Sequence, residues 1–145
     1  MAYLTSLDGV TQAVYDRIQA SQVSLGLRQV YFADNNFTPQ YPNAVVTHGR
    51  VAKQRHTTGN RFEFRFTVFV YVLHSDMSLT KAIRTKADIQ LAEAVSAVIE
   101  GTDFSLNKQI VEGYMESIEP AVLPGHRKGD GIVSSRITWY GMSIG

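Results

Sequence analysis

The sequence predicts a single α+β domain, in which a mostly antiparallel sheet with a long projecting hairpin is packed by two helices. Apolar residues recur at helical spacing in two segments and at strand spacing in the others. The segments follow one another in the order α-β-β-β-α-β-β. With 145 residues the chain has the length of one domain, and no repeat or linker divides it.

The chain begins with a helix and a short strand. Apolar side chains recur every three or four positions over residues 6–20, which predicts an amphipathic helix with Ser6 as its N-cap. Residues 27–32 predict a short strand. The next segment, ADNNFTPQYPN, is expected to be a loop because its prolines and asparagines oppose regular structure.

A long hairpin follows. Residues 44–56 and 61–74 predict two strands joined by the turn sequence TTGN. A 14-residue strand would be about 46 Å long, whereas a domain of this size is about 40 Å across. The distal half, residues 50–65, carries polar side chains on both faces. We therefore interpret the hairpin as projecting from the domain. The alternative is a bent pair of strands that is packed throughout.

Residues 68–73 of this hairpin are apolar on both faces of the predicted strand. One face is expected to lie against the two helices. The other face has no further helix to cover it, so either the remaining strands or a neighbouring subunit must do so. A ring-forming protein would use the neighbour, which makes Phe69 and Tyr71 candidate interface residues.

The second half of the chain supplies one long helix and two strands. A helix is predicted from a cap at Asp76 or Ser78 to Gly101, which is a natural residue just beyond a helix end. A strand is expected within residues 106–119. The glycine-rich connection LPGHRKGDG then leads into a final strand over residues 132–144.

The sequence offers no catalytic, cofactor-binding or metal site. Without cysteine the chain has no disulfide, zinc ribbon or thiol nucleophile. Its four histidines lack metal-ligand spacing. Glu116 and Glu119 are three apart on a predicted strand and should face opposite sides. The segment GHRKGDG lacks the spacing of a phosphate-binding loop. We expect no secretion signal, no membrane span and production in a cytosol.

The charges divide into two blocks. Residues 50–86 carry a net charge of +6, and residues 87–119 carry −6. A subunit with a positive and a negative side is suited to head-to-tail association, which can close a ring. The basic arm, residues 50–65, and the apolar strand face supply the predicted interface residues: Arg50, Lys53, Arg55, Arg61, Arg65, Phe69 and Tyr71.

The order and length of the elements, with the segments YPNAVV (41–46) and SIEPAVLPG (117–125), resemble the tail terminator (tail-completion) proteins of tailed phages. The resemblance covers nearly the whole chain. It implies a structural protein of the virion tail and neck, assembled in the host cytoplasm. Such a protein forms a hexameric ring that caps the tail tube, ends its polymerisation and joins it to the head-side connector.

The resemblance also implies that double-stranded DNA passes through the ring without specific binding. A lumen that passes DNA must avoid gripping its phosphates, so acidic residues of the second charge block are candidates for lining it: Asp88, Glu93 and Glu100. Two alternatives stay open. One is a nucleic-acid-binding module that uses the basic arm, and the other is a small ferredoxin-like enzyme.

Overall fold

The computed structural model describes residues 2–3, 5–32, 40–55, 61–75, 81–100, 108–109, 112–121 and 132–145. The described helices are α1 (Leu7–Ala20), α2 (Gln22–Leu25) and α3 (Lys81–Val98). The described strands are β1 (Ala2–Tyr3), β2 (Gln29–Phe32), β3 (Asn43–Arg55), β4 (Phe62–His74), β5 (Lys108–Gln109), β6 (Glu112–Pro120) and β7 (Val133–Ile144).

The predicted α+β class and the order of its main elements are confirmed. The elements α2, β1 and β5 were not predicted. Ser6 is the N-cap of α1, and its hydroxyl accepts a hydrogen bond of 3.0 Å from the backbone N–H of Gly9. The predicted cap of α3 at Asp76 or Ser78, the TTGN turn and the LPGHRKGDG connection lie outside the described residues.

Five strands form the main sheet, in the order β2-β3-β4-β7-β6. The pairs β3–β4, β4–β7 and β7–β6 are antiparallel, whereas β2 runs parallel to β3 and pairs only with residues 43–46. The short strands β1 and β5 form a separate parallel pair. The sheet is thus mostly antiparallel, as the sequence predicts.

Helices α1 and α3 cover one face of the sheet, which we call the helix-covered face; the other is the open face. Alternate residues of β4, from Phe66 to Val72, are fully buried on the helix-covered face. Trp139 of β7 is also fully buried, and its indole N–H donates a 2.7 Å hydrogen bond to the carbonyl of Ile99 after α3. The guanidinium of Arg17 in α1 donates to the carbonyl of Val98, which ties the two helices together.

Two β-bulges lie at the same level of the sheet, on its opposite sides. The register shifts at Gly49 in β3 and at Glu116 in β6, on either side of the row that contains Trp139. A Cβ atom on Gly49 would lie 2.1 Å from the carbonyl oxygen of Thr67, so this bulge requires glycine. Bulges bend strands and increase their twist.

The hairpin is not a free two-stranded arm, so this part of our interpretation is corrected. Strand β4 pairs with β7 along almost its whole length, from Glu63 opposite Ile144 to His74 opposite Val133. The interpretation rested on the length of the strand and on the polar side chains of residues 50–65, and neither property shows whether another strand pairs beside the hairpin. The distal half of the hairpin instead extends the sheet, with β3 as its outer strand.

Candidate assembly surfaces

The open face of the β3–β4 hairpin has two ends with different chemistry. We call residues 43–47 of β3 and 69–74 of β4 the basal end, and residues 50–55 and 62–67 the distal end. The four segments are paired in register, with Val45 opposite Tyr71 and Arg50 opposite Thr67. The two ends are separated by the bulge at Gly49.

The basal end is buried by the chain itself. Val45, Tyr71 and Leu73 form a small second core, in which Tyr71 is only 5% exposed. Partly buried residues from β2, from β4 and from the segments beside β3, β6 and β7 pack against it: Tyr31, Tyr41, Phe69, Ala121 and Ile132. The second apolar face of residues 68–73 is therefore covered, at least in part, within one chain. Phe69 is partly buried and lies at the edge of this second core.

Arg136 of β7 lies at the edge of the basal end, beside Tyr71 and Phe69. It lies opposite Tyr71 in the β4–β7 ladder, and its guanidinium is 5.0 Å from the ring centroid of Phe69. Its side chain also forms an ion pair with Glu119 of β6, and this hydrogen bond raises the pKa of Arg136. Sequence analysis missed Arg136, because only the register of three strands brings it beside Tyr71.

The distal end is polar and exposed. On the open face Arg65 pairs with Glu63 at 2.8 Å, and on the opposite face Lys53 lies 4.1 Å from the ring centroid of Phe62. On the open face a shallow groove runs across β3, β4, β7 and β6, lined by Arg50, Ala52, Gln54, Arg65, Thr67, Glu116 and Tyr140. The ring of Tyr140 packs at 5.2 Å from that of Tyr114, and burial raises the pKa of Tyr140.

Part of each charge block lies at one side of the sheet. The basic residues Arg50, Lys53 and Arg55 are exposed on β3, and the acidic residues Glu112 and Glu116 are exposed on β6. Strands β4 and β7 lie between them, which separates the two edges by about 14 Å. Contrary to our expectation, the side chains of Glu116 and Glu119 both lie on the open face. The bulge at Glu116 interrupts the alternation of side chains between the two faces of β6.

The remaining predicted residues lie in different surroundings. Asp88 is 2% exposed and accepts a 2.6 Å hydrogen bond from the hydroxyl of Ser135, and burial raises its pKa to about 7. It lies in the interior and does not face solvent. Glu93 of α3 and Glu100 just beyond the helix are exposed, as is Arg61 before β4.

The histidines in the described residues have no common site. His48 bonds to Asp8 at 2.9 Å on the surface, while His56 and His126 lie outside the described residues. The described part of the chain contains no cluster of three or more side chains suited to hold a metal ion. Among the described helices, none combines the length and apolar character needed to cross a membrane.

No family model matches this sequence, and no curated protein matches it. A solved structure with a similar fold is a chain from "Virion of native gene transfer agent (GTA) particle". The two chains are 19% identical and superpose with a TM-score of 0.64. The match covers 93% of this chain and 94% of that chain, so the two share the fold of the whole domain.

Proposed function

We propose that this protein is a structural component of a phage-like virion, a tail terminator that forms a hexameric ring at the end of the tail tube. The observation that carries the proposal is the shared fold with a chain of a gene transfer agent virion, over 93% of one chain and 94% of the other.

In this role the protein acts by assembly. The ring caps the finished tube, ends its polymerisation and joins it to the head-side connector. A ring needs two different complementary surfaces on each subunit. The basic residues on β3 and the acidic residues on β6 meet this requirement, since they lie on opposite sides of one rigid sheet. The ring belongs to the neck of the virion and is assembled in the host cytoplasm.

Double-stranded DNA passes through the ring without specific binding. Exposed carboxylates at Glu93 and Glu100 face the lumen and repel phosphate, because every phosphate that a cation neutralises adds affinity. Asp88 does not belong to this set, since it is buried against Ser135. No cofactor takes part.

The two alternatives from the sequence are less well supported by the geometry. A nucleic-acid-binding arm would depend on Arg50, Arg55 and Arg61, because Arg65 is paired with Glu63 and Lys53 lies over the ring of Phe62. An enzyme needs an accessible reactive group. The buried Ser135–Asp88 pair is closed to a substrate, because Ser135 is fully buried and Asp88 is 2% exposed.

Tube length tests the proposal. Tail tube protein from the same phage is polymerised with and without this protein, and tube lengths are measured in negative-stain images. We expect shorter tubes with a ring at one end. The variant Glu93→Gln, which changes an exposed charge away from β3 and β6, should cap tubes equally well.

Tubes of unchanged length and without terminal rings would contradict the proposal. Tight binding of the isolated protein to duplex DNA, falling steeply with salt concentration, would favour the nucleic-acid-binding alternative instead.

A further inference from the structure

Besides the outer edge of the four-residue strand β2, two longer strand edges of the main sheet are open in the described part of the chain. Strand β2 pairs with residues 43–46 of β3, so residues 47–55 have β4 on one side and no described strand on the other. Strand β6 has β7 on one side and no described strand on the other. An open edge presents unpaired N–H and C=O groups that can pair with another strand.

The two edges carry opposite charges. In the described residues no ion pair involves Arg50 or Arg55 on β3, or Glu112 or Glu116 on β6. Like charges disfavour the pairing of two β3 edges or of two β6 edges. Opposite charges favour the pairing of β3 with β6. The occupant that fits each edge is therefore the other edge of a second copy.

The strand directions agree with such a contact. Three successive antiparallel pairings make β3 and β6 run in opposite directions within one sheet. Rotation about an axis nearly parallel to the strands preserves their directions. The β6 strand of one copy then meets the β3 strand of the next as an antiparallel neighbour, which is the more stable form of pairing.

The levels of the two edges also agree. The strand pairings place Arg50 of β3 at the same level of the sheet as Tyr114 of β6, by way of Thr67 and Tyr140. They place Ala52 of β3 at the same level as Glu112 of β6, by way of Arg65 and Met142. In neighbouring copies at equal height, Arg50 would thus lie opposite Tyr114 and diagonal to Glu112. Diagonal partners of this kind are within reach of long side chains.

We propose that residues 47–55 of β3 pair with β6 of the next copy, so that the sheets of neighbouring subunits join edge to edge and form a continuous wall around the ring. The inference rests on the proposed function, because it names the contact that closes the ring. The bulges at Gly49 and Glu116 add the bend that a closed wall requires.

Charge exchange tests the contact. The variant Arg50→Glu/Gln54→Glu and the variant Glu112→Lys/Glu116→Lys should each weaken self-association roughly tenfold or more, because each places like charges on both edges. Combining all four substitutions in one chain restores opposite charges and should recover association to within about threefold. The control Asp16→Lys/Lys86→Glu changes two exposed charges on the helices, away from both edges, and should assemble like the natural chain. If the variant with all four substitutions assembles no better than the two double variants, the proposal is overturned.

Engineered disulfides test the register. The chain has no cysteine, so Ala52→Cys combined with Glu112→Cys can bond only through introduced thiols. Oxidised rings should give a ladder of covalent oligomers up to the size of the ring. The pair Gln54→Cys and Glu112→Cys tests a contact in which β6 of the next copy is shifted by two residues along β3. The control pair, Ala52→Cys with Glu93→Cys, should give no ladder.

The outcomes separate the two proposals. Rings that form without a ladder from either edge pair overturn the edge contact and leave the proposed function standing. A chain that stays monomeric even with tail tube present overturns both.

Discussion

The basal and distal ends of the hairpin are built from the same two strands but bury their open faces to different extents. At the basal end, Tyr71 and Leu73 are covered by aromatic and aliphatic side chains of the same chain. At the distal end, Arg50, Gln54 and Arg65 remain exposed on this face. The chain thus completes its own core at one end of the hairpin, and the other end is the one available to a partner.

The largest loss of stability is expected from a substitution in the basal end. Tyr71→Asp would bury an unpaired charge in the second core, at a cost of several kcal/mol, so we expect the monomer to unfold. The matched variant Tyr71→Phe keeps the ring and should change the free energy of unfolding by about 1 kcal/mol or less. Circular dichroism and urea unfolding measure both. If Tyr71→Asp stays folded and only assembly is lost, the basal end is a subunit contact, as the sequence first suggested.

A second effect lies beneath the basal end, on the helix-covered face. Burial raises the pKa of Asp88 from 3.8 to about 7, so between these pH values the folded state binds more protons than the unfolded state. Stability contributed by the neutral carboxyl is complete below about pH 4 and is lost as the pH rises through 7. The loss amounts to a few kcal/mol.

Asp88→Asn should flatten this pH dependence and raise the free energy of unfolding at pH 8 by roughly 1–3 kcal/mol. Urea unfolding at pH 5 and pH 8 measures the difference. Glu93→Gln, on the exposed side of the same helix, should leave the pH dependence unchanged. A pH dependence that persists in Asp88→Asn would show that another group causes it.

A third effect concerns the bulge between the two ends. Gly49→Ala places a methyl group 2.1 Å from the carbonyl oxygen of Thr67, so β3 must shift. We expect a loss of roughly 1–3 kcal/mol in the free energy of unfolding. Ala52→Ser, three residues further along β3, should change it by less than about 0.5 kcal/mol. Equal stability of the two variants would mean that the bulge relaxes without cost.

The smallest effect on stability belongs to the distal end. Arg55→Glu and Arg61→Glu alter exposed side chains, so each should change the free energy of unfolding by less than about 0.5 kcal/mol. Assembly should nevertheless weaken, and more at low salt than at high salt, because exposed charges are screened. Arg55→Gln and Arg61→Gln are the matched neutral variants. A large loss of stability in the Glu variants would show that the distal end belongs to the core.

Local periodicity was enough to predict the elements but not their arrangement. The strand at 61–74 and the helix at 6–20 were found within one or two residues, because alternation and helical spacing are local signals. The parallel pairing of β2 with β3 and the place of β7 beside β4 depend on contacts distant in sequence. The bulge at Glu116 moved that side chain to the open face, which no spacing rule foresees.

The candidate site was predicted in part for the same reason. The charge blocks indicated a positive and a negative edge only in part: β3 carries three of the basic residues and β6 three of the acidic residues, whereas α3 carries members of both blocks. Asp88 looked like any acidic residue on a helix, and its burial depends on Ser135, 47 residues further along the chain.

The measurement that tests the central claim most directly is the mass of the assembled protein. Light scattering coupled to size exclusion, on the purified chain alone and after addition of tail tube, reports the number of subunits, and negative-stain images of the same fractions report their arrangement. The proposed function predicts a species of six times the 16.1 kDa chain, seen as sixfold rings alone or at tube ends. A mass of one chain under both conditions, with bare tube ends, would contradict it.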